Sequence, residues 1–217
     1  FFMEVTLYFL LMIVSLLTLL KGSDWFVGAA EKVGTAWGIS PFIIGVTIVA
    51  FGTSLPELAS SISAVLMGES ALVVGNVVGS NVTNILLVLG LVSLVANEIR
   101  LEFRIMDLDI PLLTGSSLLL YFAVKDGHFS LFEAILFLAA LVIFRVNTFR
   151  SNSGEEKMDR QKIGWKPYAT LVAAGVLVYL GANYSVMAIQ KLSVLFDIQS
   201  EFFALTIVAL GTSLPEV

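Results

Sequence analysis

The chain has 217 residues, of which 58% are hydrophobic and 13% charged, with a formal net charge of −5 and a mean hydropathy of +0.95. Soluble domains carry roughly 25% charged residues, so the composition excludes an ordinary soluble globular protein and points to a chain that crosses a bilayer. With no cysteine there is neither a disulfide framework nor a thiolate metal site, and the acidic charge, spread over loops and a few internal positions, says little about partners.

The first apolar stretch, about residues 4–33, is long enough to span hydrocarbon. Its start lacks the basic region and small-residue cleavage site of a signal peptide. A polar knot, Lys21-Gly22-Ser23-Asp24-Trp25, is expected to interrupt this first helix. Asp24 lies three residues beyond Lys21, so a local ion pair or a backbone bond near Gly22 accounts for it better than a role as a second functional acid.

The second span, from about Ser40 to Leu66, opens on Pro41, which suits a first helical turn. It contains the stretch from Ile44 to Glu57, in which Ala50, Thr53, Ser54 and Glu57 fall at i, i+3, i+4 and i+7 and share one helical face. Pro56 has no amide hydrogen and collides with the carbonyl of Gly52, which frees backbone oxygens near Gly52 and Thr53. A charge at the bilayer centre costs at least about 2.5–3.5 kcal/mol on insertion scales, so an intramembrane acid points to function. Free backbone at membrane depth persists only where protein or a water-filled cavity satisfies it. Carboxylate, hydroxyls and loose carbonyls together make an all-oxygen surface, suited to hard cations such as calcium, magnesium or sodium.

The third span, about 71–95, carries Gly75-Asn76-Val77-Val78-Gly79-Ser80-Asn81-Val82-Thr83-Asn84. Gly75 and Gly79 form a small-xxx-small face that lets another helix approach closely. Ser80 and Asn84, at i and i+4, present a hydroxyl and an amide as further oxygen ligands beside the helix of Glu57. A charged loop from Asn97 to Asp109 precedes shorter spans at about 110–124 and 130–146. The single His128, next to Lys125, Asp126 and Gly127, reads as a turn residue, since no second histidine exists to share a metal. Residues 147–166 are the most polar stretch and read as a solvated linker. A sixth span follows at about 167–194 and a seventh from about 200.

The seventh span ends on a copy of the second. From Thr47 to Glu57 and from Thr206 to Glu216 the two differ only at Phe51 versus Leu210, at a constant offset of 159 residues. The offset holds upstream, pairing Gly22 with Gly181, Asp24 with Asn183, Lys32 with Lys191 and Ile39 with Ile198. This is an internal duplication. Five spans separate equivalent helices, and an odd number makes the second copy enter the membrane inverted. Lys32, Arg100, Arg104, Arg145, Arg150, Lys157, Arg160, Lys162 and Lys166 fall on one side and Lys125 and Lys191 on the other. That bias puts the 147–166 linker in the cytoplasm and the N-terminus outside.

Gly52-Thr53-Ser54-Leu55-Pro56-Glu57, its copy Gly211-Thr212-Ser213-Leu214-Pro215-Glu216, and Gly75-Asn76 through Gly79-Ser80 to Asn84 resemble the α-repeats of the sodium/calcium exchanger family, especially its short prokaryotic members. Gly22-Ser23-Asp24-Trp25-Phe26-Val27 is similar to their first helix, and the likeness covers essentially the whole chain. The resemblance implies an all-α membrane antiporter of inverted-repeat architecture, with about seven of an expected ten spans in this sequence. Residues 1–146 would form the first repeat, 147–166 the linker and 167–217 the start of the second. It further implies Glu57 and Glu216 as shared acidic ligands of calcium, with Thr53 and Thr212 giving backbone carbonyls. Ala50, Ser54, Ser80, Ala209 and Ser213 would line sodium sites, and Asn84 would be a central polar residue. The offset puts the counterparts of Ser80 and Asn84 past Val217, so the working protein is expected to continue beyond this sequence.

The expected activity is exchange of calcium for sodium in the cell membrane. Exchange of calcium or another divalent cation for protons stays open, because a buried carboxylate can carry a proton as readily as share a sodium. An intramembrane enzyme pairing Glu57 with Glu216 is disfavoured: no GxGD or HExxH pattern is present, and Ser54 and Ser213 have no histidine to activate them. The partners expected are the two ions and the lipid bilayer, with no cofactor and no nucleic acid; a monomer suffices.

Overall fold

The computed structural model describes residues 2–40, 43–96, 109–151 and 162–213, and every regular element among them is helical. Residues 1–96 with 156–217 form one compact unit and residues 97–155 another.

In the first unit, α1 (Phe2–Ala36) is one uninterrupted helix. The break expected at Lys21–Trp25 is absent, for two physical reasons. Lys21 and Asp24 pair with each other at 3.4 Å on the outer face, with side chains 71% and 51% exposed. Gly22 is used for packing: a methyl group added there would lie 3.0 Å from the backbone nitrogen of Val178. The expectation that Asp24 is locally paired therefore holds.

A π-helical turn (Ile44–Val49) leads into α2 (Ala50–Thr53), and α3 (Leu55–Leu66) follows after Ser54. The axis bends by 54° between the Thr47–Thr53 segment and α3, where Pro56 was expected to break the helix. Gly68, at φ 80°, turns the chain into α4 (Ser70–Thr83), which continues through a π turn (Asn84–Val88) into α5 (Leu89–Val95). In the second unit, α6 (Asp109–Val124) and α7 (Leu131–Ser151) flank a turn at Gly127, φ 79°. There Ser130 Oγ accepts from the Glu133 amide at 3.3 Å while Glu133 accepts from the Ser130 amide at 2.6 Å. This is a reciprocal cap that starts α7. His128 lies in that turn, as expected.

The first unit resumes with α8 (Lys166–Phe196), α9 (Ser200–Phe203), a π turn (Ala204–Val208) and α10 (Ala209–Thr212). Among the described residues three helices are long and apolar enough to cross a membrane, or four if the bent pair counts as one span. The rods Ile110–Val124 and Ser200–Thr212 are apolar but shorter.

Helices α1 and α8 are the repeat-equivalent first helices, and they run antiparallel. Phe9 packs edge-on against Phe196 at 6.2 Å, Ser185 Oγ donates to Ser15 Oγ at 2.9 Å, and Trp37 Nε1 donates to Tyr168 Oη at 3.3 Å. Their closest approach is made twice. Gly22 meets the backbone of Val178, and Gly181 meets the backbone of Leu19. Under the 159-residue offset these two contacts exchange with one another, because Gly22 corresponds to Gly181 and Leu19 to Val178. A contact that maps onto itself with the helices reversed is what an inverted repeat requires. The surface agrees with a bilayer: Leu10, Val14 and Leu17 on α1 and Val172 and Val176 on α8 are exposed, while Ser15, Ser23 and Ser185 are buried between helices.

The close approach at Gly181 predicts opposite effects at two glycines of α8. A methyl group at Gly181 would stand 2.6 Å from the Leu19 backbone nitrogen, whereas one at Gly175 meets nothing within 4 Å. Gly181→Ala should lower stability by about 1–3 kcal/mol through overpacking, and Gly175→Ala should be neutral or slightly stabilising through helix propensity. Unfolding in detergent checks both, and equal effects would exclude the proposed packing.

Candidate functional site

The site is built on the bent pair Thr47–Thr53 and Leu55–Leu66, on the second copy as far as Ser213, and on α4 between them. In each copy a π turn precedes a short α segment that ends at the serine of Gly-Thr-Ser. Ser54 has φ −88° and ψ 7°, and Ser213 has φ −83° and ψ −1°. Extra residues in a helical turn loosen its ladder, and such turns concentrate at functional positions. The π turns occupy matching places, Ile44–Val49 in the first copy and Ala204–Val208 in the second. Inside them Thr47 Oγ1 donates to the Ile43 carbonyl at 2.5 Å and Thr206 Oγ1 to the Phe202 carbonyl at 2.7 Å. The sequence reading placed the proline break but missed these turns.

Thr53 Oγ1 donates to the Ala50 carbonyl at 3.3 Å, and Thr212 Oγ1 to the Val208 carbonyl at 3.0 Å. Both hydroxyl protons are therefore used within the helix, and the Oγ1 lone pairs are left free. Glu57 sits in the first turn of α3, where the positive end of the helix dipole favours a carboxylate, and both its Oε atoms are shielded from solvent. Glu216, Leu214 and Pro215 lie outside the described residues.

Helix α4 touches both copies. Toward the second, a methyl group at Gly75 would lie 2.8 Å from the Glu201 carbonyl oxygen, and one at Gly79 would lie 2.6 Å from that of Leu205 and 2.7 Å from Ala209 Cβ. The small-residue face thus does what the sequence suggested. Toward the first copy, Asn76 Nδ2 donates to the Glu57 backbone oxygen and to the hydroxyls of Ser60 and Ser61, each at 3.1 Å. Asn76 was read from sequence only as part of a packing segment; an amide between two packing glycines of an apolar helix was the signal. Further along α4, Ser80 is 7% exposed and its hydroxyl donates to the Val77 carbonyl at 3.2 Å. Asn84 opens the next π turn with a buried Oδ1 that accepts no hydrogen bond.

The two copies differ in surroundings. Ala209, Thr212 and Ser213 are fully buried, at 0%, 0% and 1%, and the Ser213 hydroxyl has no hydrogen-bond partner. Ala50 and Ser54 are exposed and Thr53 is half-buried. Nine of the ten expected site residues are thus described, all on the two copies of the repeated stretch or on the α4 rod that packs against both. Their chemistry is that of neutral oxygens plus one carboxylate. No group of three or more His, Cys, Asp or Glu side chains occurs among the described residues. Such an oxygen set fits hard cations and not soft or thiophilic metals.

Comparison with known proteins bears on the site. The family model described as sodium/calcium exchanger protein matches residues 7–150 and 166–217. The chain is 41% identical over 133 residues to sodium/calcium exchanger MaX1 of Methanosarcina acetivorans, an alignment covering 61% of this chain and 33% of MaX1. It is 34% identical over 215 residues to an uncharacterized membrane protein of Methanocaldococcus jannaschii, covering 97% of this chain and 68% of that protein. Among solved structures it resembles the sodium-calcium exchanger NCX_Mj soaked with sodium and strontium, at 31% identity and a TM-score of 0.55, over 97% of this chain and 70% of that one.

Proposed function

The chain belongs to the sodium/calcium exchanger family and is an integral membrane protein, and from that premise we propose that the protein exchanges calcium for sodium by alternating access. One observation carries the reading: the same stretch occurs twice, each copy with a π turn before it, matching dihedral angles at its serine and a glutamate next in sequence, while the repeat-equivalent helices α1 and α8 run antiparallel. Glu57 and Glu216 are the shared acidic ligands of calcium. Thr53 and Thr212 contribute main-chain oxygen, Ala50, Ser54, Ser80, Ala209 and Ser213 line the sodium positions, and Asn84 stands in the centre. The naming of MaX1 and NCX_Mj as sodium/calcium exchangers supports the choice of ions.

Charge supplies the coupling. Two carboxylates facing one another in a low-dielectric cavity repel strongly, so the doubly ionised empty site is costly to carry across the membrane. One calcium or two sodium ions neutralise the pair, and a single sodium does not. The two ions therefore compete for the same glutamates, which makes the protein an exchanger rather than a cotransporter. Any further sodium rests on the neutral oxygens and makes transport electrogenic. The protein sits in the cell membrane with its N-terminus outside and the 147–166 linker in the cytoplasm, on the bias of lysine and arginine between the two sets of loops.

Four tests follow from these assignments. Glu57→Gln or Glu216→Gln should abolish calcium transport in a folded protein, because an amide replaces an anionic oxygen with a neutral one; near-normal calcium flux in either variant rules that glutamate out. Ser80→Ala should disturb sodium dependence more than calcium affinity. In vesicles loaded with sodium, calcium uptake should fall as external sodium is raised; uptake that ignores the sodium gradient and follows a pH gradient would replace sodium by protons as the coupled ion. For orientation, a single cysteine at Ser153 in this cysteine-free chain should react with an impermeant thiol reagent from the cytoplasmic side alone, and labelling from outside would invert the topology.

A further inference from the structure

Asn76 is 3% exposed and lies beside the glycines through which α4 packs on the second copy. Its amide nitrogen reaches three oxygens of a single turn of α3: the Glu57 carbonyl, Ser60 Oγ and Ser61 Oγ, each at 3.1 Å. Ser60 Oγ also donates to the Glu57 carbonyl, at 3.0 Å. The backbone oxygen of Glu57 thus receives two side-chain donors in addition to its place in the helix. An amide group has only two hydrogens for three acceptors, so the turn is held as a unit, not through one replaceable bond. Asn76, Ser80 and Asn84 fall at i, i+4 and i+8 and share one stripe of the same rod.

We propose that Asn76 is a positioning residue for the ion site: by gripping the Glu57 carbonyl it sets the depth and rotation of the turn that carries the Glu57 carboxylate, relative to Ser80 and Asn84 on its own helix. The inference rests on the reading of Glu57 as an ion ligand. Its physical basis is the narrow tolerance of coordination. Calcium takes oxygen at 2.3–2.6 Å, and a site works only if its ligands are held to within about 0.5 Å. Residues that hold ligands without touching the metal typically account for about 10–100-fold in metal affinity. The buried Oδ1 of Asn76 has no hydrogen-bond partner, so the side chain is oriented by its donor side alone, toward α3.

The test uses the full-length protein, with calcium titrated directly onto purified material and transport followed in vesicles. Asn76→Leu keeps the branching at Cγ, adds some bulk, and removes the donors. It should raise the half-saturating calcium concentration about 10–100-fold while leaving the maximal exchange rate within about twofold. A residue that serves folding alone would reduce the amount of active protein and leave half-saturation where it is, so an unchanged half-saturating concentration overturns the proposal. Asn76→Ala, which adds no bulk, carries the same expectation if the leucine variant fails to fold. Glu57→Gln is measured alongside. If it abolishes calcium binding while Asn76→Leu and Asn76→Ala bind normally, the positioning role alone fails. If Glu57→Gln itself binds calcium normally, the ligand assignment fails and the positioning role with it.

Discussion

A helix that breaks inside a bilayer exposes backbone groups that hydrocarbon cannot satisfy, and the rest of this structure follows from covering that break. Side chains of ordinary size hold neighbouring helices too far apart to do so. The chain therefore puts glycine where another element must come close. Val27 of α1 lies over Gly52, where an added methyl would meet its Cγ2 at 2.0 Å, and Leu16 of α1 lies over Gly211. Gly75 and Gly79 bring α4 onto the main chain of the second copy. Gly22 and Gly181 draw α1 and α8 together, so that a tight pair backs both copies. Glycine costs about 1 kcal/mol in a helix interior relative to alanine, and here the close approach that it permits offsets the loss.

The two copies separate what is local from what is tertiary. Ser213 is buried and Ser54 exposed, yet their dihedral angles agree to within a few degrees. The same holds for the π turn before each, one against α1 at Gly34 and the other under α4. A feature that survives a change of surroundings is written into the repeated stretch itself. Burial, by contrast, depends on which helix lies on top.

That division explains how much was legible in the sequence. The duplication, its 159-residue offset, the proline break and the packing face of Gly75 and Gly79 all depend on residue type and spacing, and all were readable. The ion pair of Lys21 with Asp24 was readable for the same reason. The continuity of α1 was not, because Gly22 reads as a helix breaker until the backbone of Val178 is known to lie against it. The π turns carry no sequence signature beyond a threonine four residues after a carbonyl that needs a donor. The grip of Asn76 on Glu57 joins residues 19 apart on different helices, which no periodicity reports.

The two copies of the repeated stretch share their backbone geometry up to the serine, but the contacts around them are unequal. Glu69, in the turn between α3 and α4, accepts from Gln190 Nε2 of α8 and from Ser200 Oγ at the start of α9, both at 3.0 Å. Under the 159-residue offset the counterparts of these two donors are Glu31 and Pro41. An ionised glutamate has no side-chain hydrogen to donate, and a proline has neither hydroxyl nor amide hydrogen. Glu31 and Pro41 therefore cannot reproduce these two hydrogen bonds. Hydrogen bonds to a charged group contribute about 1.5–3 kcal/mol, and less at a half-exposed carboxylate such as this one. In an inverted repeat the two orientations have equal energy only when each copy makes the contacts that the other makes after exchange. The shared motif presents the same oxygens twice, and the residues at which the copies differ make their surroundings unequal.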